Sequence, residues 1–186
     1  YKDEKTKLII GDRNTFREGM TVSIGTSKSH GVTTIGNDNL FMAYTHIGHD
    51  GVVGNHVIMA NGVQVAGHVT IEDKVNVGGM SAINQFVRIG KYSFIGGGSM
   101  VNKDIVPYSI AQGDHAVIRA TNKIGCERSG MDEKAVQNVN RAIRIITKGN
   151  TTVDESLSRI SDECDKIPEV DYLVNFIKAS VRGLAL

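Results

Sequence analysis

The sequence predicts a β solenoid, a parallel β-helix of hexapeptide repeats with a C-terminal three-helix appendage. Three observations predict it. Stepping by six from Ile35 meets Phe41, Ile47, Val53, Met59, Val65, Ile71, Val77, Ile83, Ile89, Ile95 and Val101, twelve apolar residues without a miss. The residues just after them are mostly small, as at Gly36, Gly48, Gly54, Ala60, Ala66, Gly78, Gly90 and Gly96, and those four after are mostly small or β-branched, as at Thr45, Val57, Val63, Val69, Val75 and Ser81. Beyond Gly130 the apolar spacing turns helical. A 3.6-residue helix or a long alternating strand does not sustain a period of six, but a prism of short strands with small residues at its corners does.

Three hexads close one triangular coil, so residues 18 apart stack on one face at the inter-strand spacing of about 4.8 Å. The run from Ile35 makes four coils, and Ile10, Phe16 and Val22 supply an earlier one. Between them the interval from Gly25 to Thr33 breaks phase and is expected to bulge outward as a loop, a common place for a binding face in solenoids. The period ends at Pro107 and Tyr108. A first helix follows through Ala135, Val136, Val139, Ala142, Ile143 and Ile146, at i, i+3, i+4, i+7 spacing. Thr152 with Glu155 reads as a capping box opening a second helix through Leu157 and Ile160. Pro168 opens a third through Val170, Leu173, Phe176 and Ile177, with Gly183 as its terminator. The chain divides into a β-helix with its trailing segment, 1–128, and a helical unit, 129–186.

The 186 residues carry 21 basic and 20 acidic side chains, a balance that disfavours a polyelectrolyte partner, and no basic, aromatic-studded stripe points to nucleic acid. Aromatics make up 5% and glycine contributes 21 residues, so small side chains dominate the packing. Cys126 and Cys164 form no metal-ligand or CxxC spacing, which predicts free thiols in a reducing compartment, the cytoplasm. Apolar stretches are short, so no transmembrane segment is expected, and the opening Tyr1 to Lys5 lacks the layout of a signal peptide.

Three of the six histidines cluster in sequence: His46 and His49, then His68. Adding 18 to His49 reaches Gly67 and then Gln85; adding 18 to Asp50 reaches His68 and then Phe86. His49 thus stands one rung from a backbone amide with no side chain. A general base beside an open amide is what acyl transfer needs, one group taking a proton and the other holding the oxyanion. Asp50 is placed to fix the imidazole tautomer. The same histidines also read as solvated turn residues, as His30, His56 and His115 do. Metal binding is a rival, since imidazole is a common ligand, but His46 and His68 are not 18 apart. Arg141, Arg144 and Lys148 share one side of the first helix, either as a solvated face or as a dock for an acidic carrier protein.

The stretches Asn39 to Asp50, Val65 to Val69, Gly78 to Phe86, Pro107 to Gly113 and Arg182 to Leu184 resemble the acyl-carrier-protein:UDP-N-acetylglucosamine O-acyltransferases, which open lipid A biosynthesis. The resemblance implies a left-handed β-helix homotrimer with active sites between subunits, moving a 3-hydroxyacyl group from acyl carrier protein to the 3-hydroxyl of UDP-N-acetylglucosamine or a related amino sugar nucleotide. It implies no cofactor and no metal. His49 matches the family's catalytic base, Asp50 its partner and Gly67 the oxyanion amide. His46, His68, Gln85, Asn122 and Arg128 match substrate-contacting positions, and Asn84 stands where the family has His. Gly97 and His115 match positions lining the acyl chain.

Ser23 and Ile24 stand where the family has His and Arg, and Ser129 where a second basic residue often follows. Fewer charged bonds to the diphosphate predict weaker nucleotide recognition, each such bond being worth about 1.5 to 3 kcal/mol. The family carries several more coils before the segment matching Tyr1 to Gly11. Two alternative functions stay open: a related hexapeptide N-acyltransferase or acetyltransferase, and a degenerate acyl-binding paralogue without catalysis.

Overall fold

Short strands recur at the predicted interval and stack into three sheets, the faces of a triangular prism. The computed structural model describes residues 5–149 and 151–186; residues 1–4, most of the opening stretch expected to lack a leader-like layout, lie outside this range. Face one carries Lys7–Ile10, Val32–Ile35, Val52–Val53, Thr70–Ile71 and Arg88–Ile89. Face two carries Thr15–Phe16, Leu40–Phe41, Ile58–Met59, Asn76–Val77 and Phe94–Ile95, and it continues into Ser109–Gln112 and Val117–Thr121. Face three carries Thr21–Val22, His46–Ile47, Gln64–Val65, Ala82–Ile83 and Met100–Val101. All pairings are parallel except the last on face two, where Ser109–Gln112 and Val117–Thr121 run antiparallel. Partners stand 18 residues apart, as in Val52 with Thr70 and Thr70 with Arg88.

All twelve residues of the six-step ladder are buried, each at 2% exposure or less. The second inward site holds valines on some rungs and hydroxyl side chains on others. Ser81 and Ser99 both donate to the Gly96 carbonyl and Ser93 donates to that of Val106, so these buried groups cost little. Ile10 and Phe16, inward residues of the first described coil, are 43% and 41% exposed, with one neighbouring coil stacked on them among the described residues.

Between the loop and the last full coil each corner turns through one residue with positive φ, at Asp38, Tyr44, Asp50, His56, Gly62, His68, Lys74, Met80, Phe86, Tyr92 and Gly98. Only two of these are glycine, although a left-handed residue with a Cβ costs about 1–2 kcal/mol. Hydrogen bonds between rungs offset that cost: the His68 amide donates to the His49 carbonyl at 2.9 Å and the His56 amide to that of Asn37 at 2.9 Å. Glycine is required instead where rungs touch. A Cβ on Gly48 would lie 2.5 Å from the Ala66 carbonyl carbon and 2.6 Å from the Gly67 nitrogen, which are backbone atoms with no rotamer to yield. Gly48→Ala is therefore expected to cost about 2 kcal/mol, lowering the thermal midpoint by roughly 4–8 °C in a circular dichroism melt.

The predicted bulge is present. Before it, partners stand 25 apart, as in Thr21 with His46, and 25 − 18 leaves seven extra residues in the loop. At the other end the coil shortens: Ile89 pairs with Ile105 and Ile95 with Ala111, both 16 apart. The apolar ladder ends at Val101, yet Ile105 and Ala111 still fill the solenoid core.

Four helices follow: α1 (Lys123–Arg128), α2 (Glu133–Lys148), α3 (Val153–Glu163) and α4 (Pro168–Lys178). The last three are those expected, with the Thr152 and Glu155 capping box formed and Pro168 in the first turn of α4. The short α1 is additional to the expected three. Gly183 does not terminate the third expected helix. That helix stops at Lys178, because Ser180 turns to donate to Asp104 at 2.7 Å and the chain then pairs Leu184 with Asp104; Gly183, at φ 76°, serves that return. The helical unit is fastened to face one by α4. Tyr172 donates to Glu72 at 2.7 Å, Lys91 lies 3.6 Å from the Tyr172 ring centroid, and the Arg88 guanidinium lies 4.4 Å from that of Phe176.

Candidate active site

The corner that joins face three to face one brings His49, Asp50 and His68 together. Its chain path leaves the strand His46–Ile47, passes Gly48 and turns at Asp50. The Asp50 side chain is fully buried while that of His49 is 39% exposed, and His49 Nδ1 lies 2.9 Å from Asp50 Oδ2. Asp50 Oδ1 accepts the Thr26 amide at 3.0 Å, and Oδ2 accepts the Thr26 hydroxyl at 2.7 Å. Burial alone would raise the Asp50 pKa, but the Thr26 amide and hydroxyl, the His49 ring and the nearby His68 outweigh it and hold the carboxyl at about 2. An ionised carboxylate only accepts, so His49 Nδ1 is the donor, and in the neutral ring the lone pair falls on Nε2.

The predicted stacking holds for the ring as well as for the backbone. A Cβ on Gly67 would lie 2.7 Å from both Cε1 and Nε2 of His49, so the imidazole covers the glycine Cα. Asn37 and Asn55 occupy the same hexad position on another corner, and their amides donate to side-chain oxygens of the next rung, Asn55 Oδ1 and Asp73 Oδ1. Among the described residues the Gly67 amide makes no such bond. Gln85 is exposed on the following rung, and Asn84 beside it is exposed too.

His68 turns the corner one rung from Asp50, with Nε2 4.0 Å from Asp50 Oδ2. Its ring meets His49 edge-on at 5.0 Å between centroids and stacks on Phe86 at 4.6 Å and 9°. His46 points outward from its strand with Nδ1 2.8 Å from the Thr21 hydroxyl. Gly97 lies at the opposite edge of face three, one rung from Gly79, and is exposed. His115 is exposed at the end of that face, beside the bridge between Met100 and Asp114.

Asn122 and Arg128 lie elsewhere, over face two. They line a groove of about 600 Å³ with His56, Lys74, Asn76 and Phe94. Asn122 caps α1, accepting the Gly125 amide at 3.1 Å and donating to the Tyr92 carbonyl at 2.8 Å, so both its polar atoms are engaged within the chain. Arg128 is exposed and has no ion pair among the described residues. One copy of the chain therefore gathers His49, Asp50, Gly67, His68 and Gln85 at one corner and leaves Asn122 and Arg128 on a different face.

A family model described as UDP N-acetylglucosamine O-acyltransferase, domain 2, matches residues 104–185. An acyl-[acyl-carrier-protein]–UDP-N-acetylglucosamine O-acyltransferase of Myxococcus xanthus is 45% identical over 184 residues, covering 99% of this chain and 71% of that protein. The chain belongs to this acyltransferase family. The Psychromonas ingrahamii member is 49% identical, covering 99% of this chain and 70% of its own length. The structure of LpxA from Acinetobacter baumannii matches with a TM-score of 0.95 at 40% identity, covering 100% of this chain and 72% of that one.

Within this family fold, the ligating atoms of His49, Asp50 and His68 fall within 4.8 Å of one another, close enough to suggest a metal site. The donor set argues otherwise. Asp50 is closed to solvent and its oxygens are already taken by two Thr26 donors and the His49 ring, so the group orients a base better than it offers open coordination. His46 is not part of the cluster. Thr26 lies beyond the stacking rule, because the loop shifts the register from 18 to 25 before it closes; the strand of Thr33 keeps the regular 18, and the Thr33 hydroxyl accepts the Asp50 amide at 2.9 Å.

Proposed function

We propose that the chain transfers a 3-hydroxyacyl group from acyl carrier protein to the 3-hydroxyl of UDP-N-acetylglucosamine, opening lipid A biosynthesis. The observation that carries the reading is the His49 ring lying over Gly67 with Nδ1 tied to a buried, ionised Asp50. Nε2 takes the proton of the sugar hydroxyl as its oxygen attacks the thioester carbonyl. The tetrahedral oxyanion receives the Gly67 N–H, the C–S bond breaks, and the thiolate of the carrier's arm recovers the proton from Nε2. An ester and a free thiol result. His46, His68, Asn84 and Gln85 flank the corner and contact the sugar nucleotide.

The separation of Asn122 and Arg128 from His49 supports a homotrimer in which each site joins the His49 corner of one copy to the groove over face two of another. Asn122 contributes by fixing α1, and Arg128 by its free charge. Face three leads from His49 toward Gly97 and His115, and exposed Met80 and Met100 add apolar surface for the acyl chain. Buried free thiols at Cys126 and Cys164 suit the reducing cytoplasm. Among the described residues no helix is long and apolar enough to cross a membrane.

Arg141, Arg144 and Lys148 line a groove of about 540 Å³ along α2 with Arg159. Arg141 donates to the Glu163 carbonyl and Arg159 pairs with the Glu163 carboxylate, while Arg144 and Lys148 have no ion pair among the described residues. These two are the charges available to an acidic carrier protein. Reversing both to Glu is expected to raise KM for the carrier thioester about tenfold at low salt and less at high salt, with kcat little changed. Steady-state rates at two ionic strengths measure this.

Incubating the protein with 3-hydroxyacyl carrier thioester and UDP-N-acetylglucosamine tests the whole reading, with an O-acylated sugar nucleotide as the expected product. Transfer only from coenzyme A thioesters, only to an amino sugar, or not at all would contradict it.

A further inference from the structure

The loop that interrupts the hexads closes on the carboxylate behind His49. Its outgoing arm presents Thr26 and its returning arm Thr33, and the arms meet so tightly at Gly25 that a Cβ there would strike Val32 and Gly31. Both arms hold the same corner: Thr33 Oγ1, buried, accepts the Asp50 amide, while Thr26 donates to both carboxylate oxygens. Two imidazoles face that carboxylate, His49 at 2.9 Å and His68 at 4.0 Å from the same Oδ2. A carboxylate free to rotate would be shared between them.

We propose that Thr26 is a positioning residue for the transfer reaction, its amide and hydroxyl fixing the plane of Asp50 so that Oδ2 receives the proton on His49 Nδ1 and Nε2 remains the base. This rests on the reading of His49 as that base. Oδ1 is occupied by the Thr26 amide, and Oδ2 is set between the Thr26 hydroxyl and the His49 ring, so three donors from two chain segments define one orientation. The hydroxyl bond is the only one of the three that a side-chain substitution at 26 removes. The seven-residue insertion is thus the support of the base.

Thr26→Val keeps the shape and the amide and deletes the hydroxyl; Thr26→Ser keeps both donors. The Val variant is expected to lose about tenfold in kcat with KM for both substrates within about twofold, and the Ser variant to restore most of the rate. In ¹⁵N-histidine NMR of the wild-type chain, His49 is expected as the Nδ1–H tautomer, and in the Val variant as a mixture. A Val variant within about twofold of wild-type kcat, a Ser variant as impaired as Val, or a wild-type His49 protonated at Nε2 instead of Nδ1 overturns the proposal. The tautomer measurement needs neither turnover nor the Val variant. Absence of any transfer by the wild-type chain would instead count against the functional reading, leaving the role of Thr26 to be judged by the NMR result.

Discussion

Replacing His49 by Ala lowers kcat by about three orders of magnitude, the contribution of a positioned general base, and leaves the solenoid and its oligomeric state as they are. The side chain is 39% exposed, so truncating it removes little buried surface. Asp50 keeps both Thr26 donors in the variant and is not orphaned. Steady-state turnover beside gel filtration and a thermal melt separates the two effects. An Ala variant that turns over at near the wild-type rate would remove His49 from the mechanism.

Gly67→Ala has the second largest effect. The added Cβ would sit 2.7 Å from the far edge of the His49 ring, which can swing away, whereas at Gly48 the collision is with backbone that cannot. The two alanine variants are therefore expected to part company. Gly48→Ala loses stability. Gly67→Ala loses about two orders of magnitude in kcat, because the displaced ring surrenders its alignment and the new methyl crowds the amide, while its thermal midpoint stays within about 3 °C of the wild type. A fully active Gly67→Ala protein would mean that the ring does not work from above that glycine.

The solenoid is legible in the sequence because inward positions of a prism must be apolar or small at every sixth residue, and from Ile35 to Val101 none fails. The same rule placed His49 over Gly67 and Asp50 beside His68, since corners repeat as faithfully as faces. What the rule did not reach has a common physical cause: it counts residues in a regular coil. Thr26 grips Asp50 from an insertion that shifts the register to 25, and Ala111 joins the core through a coil shortened to 16. Left-handed corners at Asp50, His68 and Phe86 were likewise hidden, because glycine is the usual sign of positive φ and these residues carry side chains held by bonds between rungs. The short α1 has only six residues and a single buried one, Cys126, too few to write a helical period. Asn122 and Arg128 carry no positional signal toward His49, because within one chain they stand on another face.

In the proposed shared site, His49 of one copy acts on an acceptor held beside Arg128 of another. Co-expressing His49→Ala chains with Arg128→Ala chains, each expected to be severely impaired alone, forms mixed assemblies that decide it. If the site is shared, random mixing rebuilds intact pairs at about one quarter of the positions, and activity returns well above that of either parent. Mixtures no more active than their parents would show that both residues serve the same copy and that the site is not shared.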